Sequence, residues 1–121
     1  MTIYQRMERV FTLADVPGFF QTWRKTDDHP ELPDLYAVYN VTQERPAQCA
    51  DDREIFRLYS VTVWLYGVGD VTAAADLILD ALSMEGFGTP RGADAYAGIP
   101  GAHINVKRID AHYVDYGEYG Q

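Results

Sequence analysis

An α+β domain, in which a mainly antiparallel sheet built on a long hairpin carries two helices on one face, is the fold class this sequence predicts. Three observations predict it. Residues 35–44 and 55–66 are two runs rich in β-branched and aromatic side chains, separated by a polar tip. A Gly67-Val68-Gly69-Asp70 break then opens a helical pattern that stops at Gly86. A second helical stripe precedes the hairpin and one more strand-like run follows the second helix, giving the order helix, hairpin, helix, strand.

The first helix is expected over residues 2–14. Ile3, Met7, Val10, Phe11 and Ala14 lie along one stripe, with Arg6 and Arg9 mostly on the other side. Asp15-Val16-Pro17-Gly18 ends it, because Pro17 disfavours a helical Val16 and Gly18 permits a reversal. Residues 19–24 read as a short extended or irregular segment. Residues 25–34 read as a polar loop, since Pro30 and Pro33 stand three apart with charge between them.

In the hairpin, Leu35, Ala37, Tyr39 and Val41 share one face of the first strand; Tyr36, Val38, Asn40, Thr42 and Glu44 share the other. The second strand sets Ile55, Arg57, Tyr59, Val61, Val63 and Leu65 against Phe56, Leu58, Ser60, Thr62, Trp64 and Tyr66. Neither strand has a cleanly polar face. One side is expected under the helices; a second subunit is the simplest cover for the other. Leaving several such aromatics in water would forgo several kcal/mol at about 25 cal/mol per Å2.

Asp70 stands where an N-cap is expected, its carboxylate accepting from amides of the first helical turn. Val71, Ala74, Ala75, Ile78 and Leu82 form the inward stripe of the second helix, flanked by Leu77 and Ala81, and Asp76, Asp80 and Ser83 fall opposite. Three consecutive alanines predict a close approach to the sheet. Gly86 suits the left-handed position after the helix, with Phe87 folding back onto its last turn. Residues 88–101 read mainly as loop, with a short strand near 94–97. Residues 103–116 form the closing strand. Its apolar set changes face near Arg108 and Ile109, which predicts a bulge or a twist from one partner to another. Residues 116–121 read as a loose tail.

The chain has 121 residues and reads as one domain. Its net charge of −8 and scattered lysines and arginines argue against specific nucleic-acid binding. No apolar run approaches the ~20 residues that span a bilayer, so no membrane association is expected. The first residues lack a basic start followed by an apolar stretch, so no signal peptide is expected. A single cysteine, Cys49, excludes an internal disulfide and a thiolate zinc site, and no histidine is placed by the sequence to activate it.

Candidate chemistry is sparse. His29 sits in the proline-containing loop beside Asp28 and Glu31, where a solvated role is the commoner one. His103 and His112 are an odd number of residues apart, so on a regular strand they face opposite sides and share no metal. A hydrolase using His112 with Asp110 or Asp115 is one minor alternative. Gly67-x-Gly69 before a helix lacks the third glycine and the Lys-Ser/Thr pair of a phosphate loop, and Asp70 would repel an anion. No catalytic residue, cofactor or metal is expected.

The runs Tyr36-Ala37-Val38-Tyr39-Asn40-Val41-Thr42-Gln43-Glu44-Arg45-Pro46, Ala50-Asp51-Asp52-Arg53-Glu54-Ile55 and Tyr59-Ser60-Val61-Thr62-Val63, followed by Gly69-Asp70 with Thr72 and by Glu85-Gly86-Phe87, carry a family resemblance. They resemble the small tail-completion proteins (tail terminators and head–tail joining proteins) of long-tailed bacteriophages and prophages. The resemblance covers about half the chain and rests on overall pattern. It implies an α+β fold and a structural, non-enzymatic role. It also implies a ring, commonly a hexamer, which caps the tail tube at the head–tail junction and touches tube and connector proteins. The protein would then act in the bacterial cytoplasm during assembly and in the virion afterwards. An acidic ring would ease the passage of DNA through its lumen. The residues expected at contacts with copies and partners are Arg45, Pro46, Asp51, Asp52, Arg53 and Glu54 at the tip, with Trp64 and Tyr66 on the sheet. The alternative from another class is a small regulatory module that binds a peptide or ligand on the aromatic sheet face, in a pocket lined by Trp64, Tyr66 and Tyr113.

Overall fold

The two alternating runs pair with each other, and further than their composition suggests. In the computed structural model, which describes residues 2–21, 34–50, 53–95 and 104–115 (45–50, 53–55 and 95 through the backbone only), the elements are α1 (Ile3–Ala14), β1 (Gly18–Phe20), β2 (Leu35–Ala50), β3 (Arg53–Val68), α2 (Thr72–Met84), β4 (Gly88–Ala95) and β5 (Ile104–Asp115). They form one five-stranded sheet in the order β1-β2-β3-β5-β4. All neighbours are antiparallel except β1 and β2, which run parallel. The α+β class, the mainly antiparallel sheet and the long hairpin are therefore present.

Both helices lie on one face of this sheet. Ile3, Met7, Val10, Phe11 and Ala14 of α1 share a core with Val71, Ala75, Ile78, Ala81 and Leu82 around α2, over Ala37, Tyr39, Tyr59, Val61, Val63, Leu65, Ile109 and Ala111 of the strands. Met7, Ile78, Leu82 and Leu65 are fully enclosed. Each such side chain contributes roughly 1.5–3 kcal/mol by leaving water. The expected stripe of α2 is correct at its centre, but Leu77 turns to solvent, and of the three alanines Ala75 is buried in the core, Ala74 packs half-buried against it and Ala73 is exposed.

The caps show how local chemistry sets the ends. Thr2 accepts from the Gln5 amide while the Gln5 side chain accepts from the Thr2 amide, a reciprocal capping box that opens α1. At its other end the left-handed residue is Asp15 (φ 56°), not Gly18, and Val16 N–H reaches Phe11 O at 3.1 Å. Gly18 has a different duty. A Cβ there would lie 2.2–2.6 Å from carbons of the Phe11 ring, so β1 can lie against α1 only because the side chain is missing. The α2 end follows expectation: Gly86 is left-handed (φ 90°), Phe87 N–H bonds Leu82 O at 2.9 Å, and Phe87 is buried. At the α2 start the Asp70 carboxylate accepts from Thr72 N–H at 2.8 Å, but the cap position itself is Val71. Hydrogen bonds from Thr72 hold the Asp70 carboxyl below its ordinary range.

Several segments differ from the sequence reading. The stretch after Pro17, read as short extended or irregular, begins with a true strand, β1, registered Gly18↔Ala37 to Phe20↔Tyr39. The polar tip is shorter than expected, because pairing continues to Ala50↔Arg53. Pro46 is accommodated because β1 pairs with β2 only over residues 37–39, leaving the outer edge of β2 at Pro46 unladdered among the described residues. Residues 88–95, read mainly as loop with a short strand only from about 94, form the edge strand β4, held by its backbone ladder to β5. The bulge expected in β5 is absent from its pairing with β3, which runs without a shift from Val68↔Ile104 to Arg57↔Asp115. A bulge falls instead in β2 at Thr42, between Val41↔Val61 and Gln43↔Ser60. It reverses the phase of the strand, so Glu44 pairs with Tyr59 on the helix side and meets Arg57 at 2.6 Å, whereas alternation put it with Tyr36.

Of the two arginines expected off the apolar stripe, Arg6 is half-buried while Arg9 stays exposed, yet both reach one acidic partner. Glu85, at the C-terminal end of α2, is buried. Its carboxylate meets Arg9 at 3.1 Å and Arg6 at 3.5 Å, and the Arg6 guanidinium stands 4.4 Å from the Tyr113 ring centroid. A carboxylate at a helix C-terminus opposes the helix dipole and loses hydration when buried, and two guanidinium groups offset both costs. This joins α1, α2 and β5 at one point.

An aromatic chain closes the other side of α1: Phe11 with Tyr39 (5.7 Å), Tyr39 with Phe20 (5.3 Å), Phe20 with Tyr4 (5.0 Å). Burial, then the Glu8 carboxylate and Tyr4, push the Tyr39 phenol up to about 12. Two outcomes follow from this packing. Gly18→Ala should lower stability by about 1–3 kcal/mol, as overpacking does, measured by urea denaturation. Because the Tyr39 proton is held more tightly in the folded chain than in the unfolded one, its contribution is complete below pH ~10 and is lost as pH rises towards ~12. Tyr39→Phe should therefore flatten the fall of melting temperature over that window.

Candidate functional site

The sheet's second face carries no helix among the described elements, since both helices share the core on the opposite side. Register decides what this face contains. Tyr36↔Tyr66↔Val106, Val38↔Trp64↔Arg108 and Asn40↔Thr62↔Asp110 form three rows across β2, β3 and β5, followed by Ser60↔His112 and Leu58↔Val114. Aromatic and aliphatic groups thus occupy the two ends, and a polar band crosses the middle.

At one end the Tyr36 and Tyr66 rings stack at 5.0 Å and 16°. Burial, then Tyr66, raises the Tyr36 phenol above its ordinary value. Beside them Trp64 is half-buried, with the Arg108 guanidinium 5.3 Å from its ring centroid. The two sheet residues expected at contacts, Trp64 and Tyr66, therefore both lie on this face. Val38 and Val106, their neighbours, are buried.

In the polar band, Thr62 is 4% exposed and its hydroxyl donates to Asp110 Oδ1 at 2.7 Å. Arg108 Nε donates to Asp110 Oδ2 at 3.0 Å. Ser60 Oγ lies 3.0 Å from His112 Nδ1. Trp64, Arg108, Asp110 and Thr62 are thus one connected cluster, which no sequence pattern indicated, because it exists only when β3 and β5 pair in this register. The only available signal was the interruption of β5 by Arg108 and Asp110 where its apolar set changes face.

Among the described contacts neither carboxylate considered with His112 is placed to orient it. Both oxygens of Asp110 are directed to Thr62 and Arg108, while His112 is bonded to Ser60; Asp115 lies on the alternate face of β5. Nor does this face make the aromatic ligand pocket. Tyr113 faces the helix layer, packed on Phe87 at 5.1 Å and beneath Arg6, opposite to Trp64 and Tyr66. Among the described residues no group of three or more His, Cys, Asp or Glu could hold a metal ion, and no helix is long and apolar enough to cross a membrane.

The expected tip residues fall into two sets. Arg45 and Pro46 lie on β2 and Arg53 and Glu54 on β3, in register pairs Arg45↔Leu58, Pro46↔Arg57, Ala50↔Arg53 and Cys49↔Glu54. Asp51 and Asp52 lie outside the described residues, as do His29 and His103. The tip is separated from Trp64 and Tyr66 by most of the length of β3, so the expected contact residues form two sites. Beyond Arg57, β2 and β3 pair only with each other among the described residues, the last described pair of β3 with β5 being Arg57↔Asp115.

No protein-family model matches the chain, and no curated protein matches it. Removing the carboxylate that satisfies the buried Thr62 hydroxyl tests the polar band. Asp110→Ala should cost about 1–3 kcal/mol by denaturant titration, more than Asp80→Ala on the solvent side of α2.

Proposed function

We propose that this chain is a structural assembly subunit of the tail-completion kind its sequence resembles. In this reading it forms a closed ring, commonly of six copies, at the head–tail junction of a long-tailed phage, stops tail-tube growth and presents a surface to the head connector. It works in the bacterial host during assembly and remains in the virion. No catalysis or cofactor is involved, and DNA passes through the acidic ring without specific binding.

The observation that carries the proposal is the β2–β3 arm. Beyond Arg57 it is a two-stranded ribbon, and the outer edge of β2 carries no partner from residue 40 to 50 among the described residues. An isolated two-stranded ribbon is marginal in water, and unladdered amides and carbonyls on an edge seek a partner chain. A heterologous contact made by such an arm closes into a ring when the rotation between copies permits. The half-covered sheet face around Trp64 and Tyr66 supports the same reading, as an aromatic-rich surface suited to an interface.

Native mass spectrometry and negative-stain microscopy of the concentrated chain, alone and with a long-tailed-phage tail-tube protein, test this. Closed rings are expected, alone or on tube ends. Removing residues 47–52 should abolish ring formation while leaving the circular dichroism spectrum that of a folded chain. Monomers only, with tube protein present and no co-assembly, would overturn the proposal, as would undiminished rings from the shortened arm.

A further inference from the structure

At the far end of the sheet from β4, α1 and β1 border an open groove of about 600 Å3. Its α1 wall is the row Glu8, Phe11, Thr12 and Asp15, spaced so that all four share a helix face. Its other wall is Gly18, Phe20 and Tyr39. Neither Glu8 nor Asp15 is ion-paired among the described residues, and no lysine or arginine is among the described residues that line the groove. Phe20 is 38% exposed and Tyr4, edge-on to it at 5.0 Å, is 41% exposed.

The backbone beside the groove is equally specific. Ala37 N–H donates to Pro17 O at 2.8 Å, and Gln21 N–H donates to Tyr39 O at 2.9 Å. In a parallel ladder these bonds bracket Phe19 as the β1 residue turned towards β2. The amide and carbonyl groups of Gly18 and Phe20 therefore point to the outer edge, where β1 is the last strand of the sheet. A strand added at that edge would place every second side chain on the helix side, directly over the groove.

We propose that this groove receives an extended, cationic segment of a partner protein, which pairs its backbone with Gly18 and Phe20 and seats an arginine or lysine over Phe20 and Tyr39 between Glu8 and Asp15. Charge complementarity selects the occupant. Two carboxylates without counter-ions flank aromatic rings, and a cation is the one group that gains from both at once. A second copy of this chain is a poor occupant, because at net charge −8 it approaches an acidic groove against repulsion. The inference is independent of the ring proposal: it rests on the outer edge of β1 beside α1, not on the arm of β2 beyond residue 40 along the same margin of the sheet, and needs no assembly.

The test uses the full chain at a concentration where it is monomeric, with two blocked peptides of alternating threonine and valine, one carrying a central arginine and the other glutamine. Amide shifts in two-dimensional NMR are followed during titration. The arginine peptide should perturb residues 8–21 selectively and bind about tenfold more tightly than the glutamine peptide, the difference shrinking in high salt. Glu8→Gln and Asp15→Asn should each abolish most of that preference; both sites are exposed, and asparagine tolerates the left-handed backbone at position 15. Equal response to both peptides, no response, or perturbation centred on Trp64 and Tyr66 would overturn the proposal. Shifts at residues 8–21 that depend on protein concentration without peptide would assign the groove to a second copy and overturn it equally. Because the readout is made on the monomer, its failure leaves the ring proposal standing, and a failed ring leaves the groove standing.

Discussion

The ladder of β3 is the constraint on which the rest of the molecule depends. It is bonded to β2 along its whole length and to β5 from Arg57 to Val68, so it fixes the register of both neighbours. Its inward row, Tyr59, Val61, Val63 and Leu65, is the floor on which both helices rest. A one-residue slip would send that row to the other face and exchange it for Leu58, Ser60, Thr62 and Trp64. The core would lose its floor, and the Thr62–Asp110 pair would be pressed under α2. A slip is therefore opposed from both sides, by apolar burial below and by a satisfied polar band above.

The helices are held to this floor by two different kinds of contact. One is apolar and diffuse, spread over Met7, Val10, Ile78 and Leu82. The other is polar and local: Arg6 and Arg9 of α1 converge on Glu85 at the end of α2, above Tyr113. Hydrophobic packing sets how strongly the layers adhere but tolerates sliding, because it is non-directional. A buried carboxylate with two guanidinium partners has one good geometry and so sets where α1 lies relative to α2.

With one layer of helices for a two-sided sheet, the protein is left with surfaces that differ in character. The hairpin arm offers unladdered backbone, the open face offers stacked tyrosines and Trp64 around a polar band, and the α1–β1 groove offers aromatic rings between carboxylates. Among the described residues none of the three gathers polar groups around a single point, and all three have the character of contact surfaces, which is what the proposed assembly role draws on.

Much of the fold was legible because its signals are local. The stripes of α1 and α2, the Gly86–Phe87 terminus and the alternation of β2 and β3 follow from residues within a few positions of one another, where 3.6- and 2-residue periods act. At the candidate site, the same alternation put Trp64 and Tyr66 together on one face of the second strand, without saying which face the helices leave open. What stayed hidden depends on partners distant in sequence. Strand β4 is made by hydrogen bonds to β5, the Thr42 bulge by the pairing of Val41 and Ser60, and the duty of Gly18 by the Phe11 ring. The apparent change of face in β5 needed no bulge, since Val106 and Val114 belong to the open face and Ile109 and Ala111 to the core. The sequence by itself determined the two helices, the long hairpin strands and the closing strand, and that neither hairpin strand has a cleanly polar face. Only the tertiary structure decided which side the helices cover, how far the arm projects, and that Arg108, Asp110, Thr62 and Trp64 meet, because register and layer are chosen by free energies summed over the whole sheet, which no short window of residues contains.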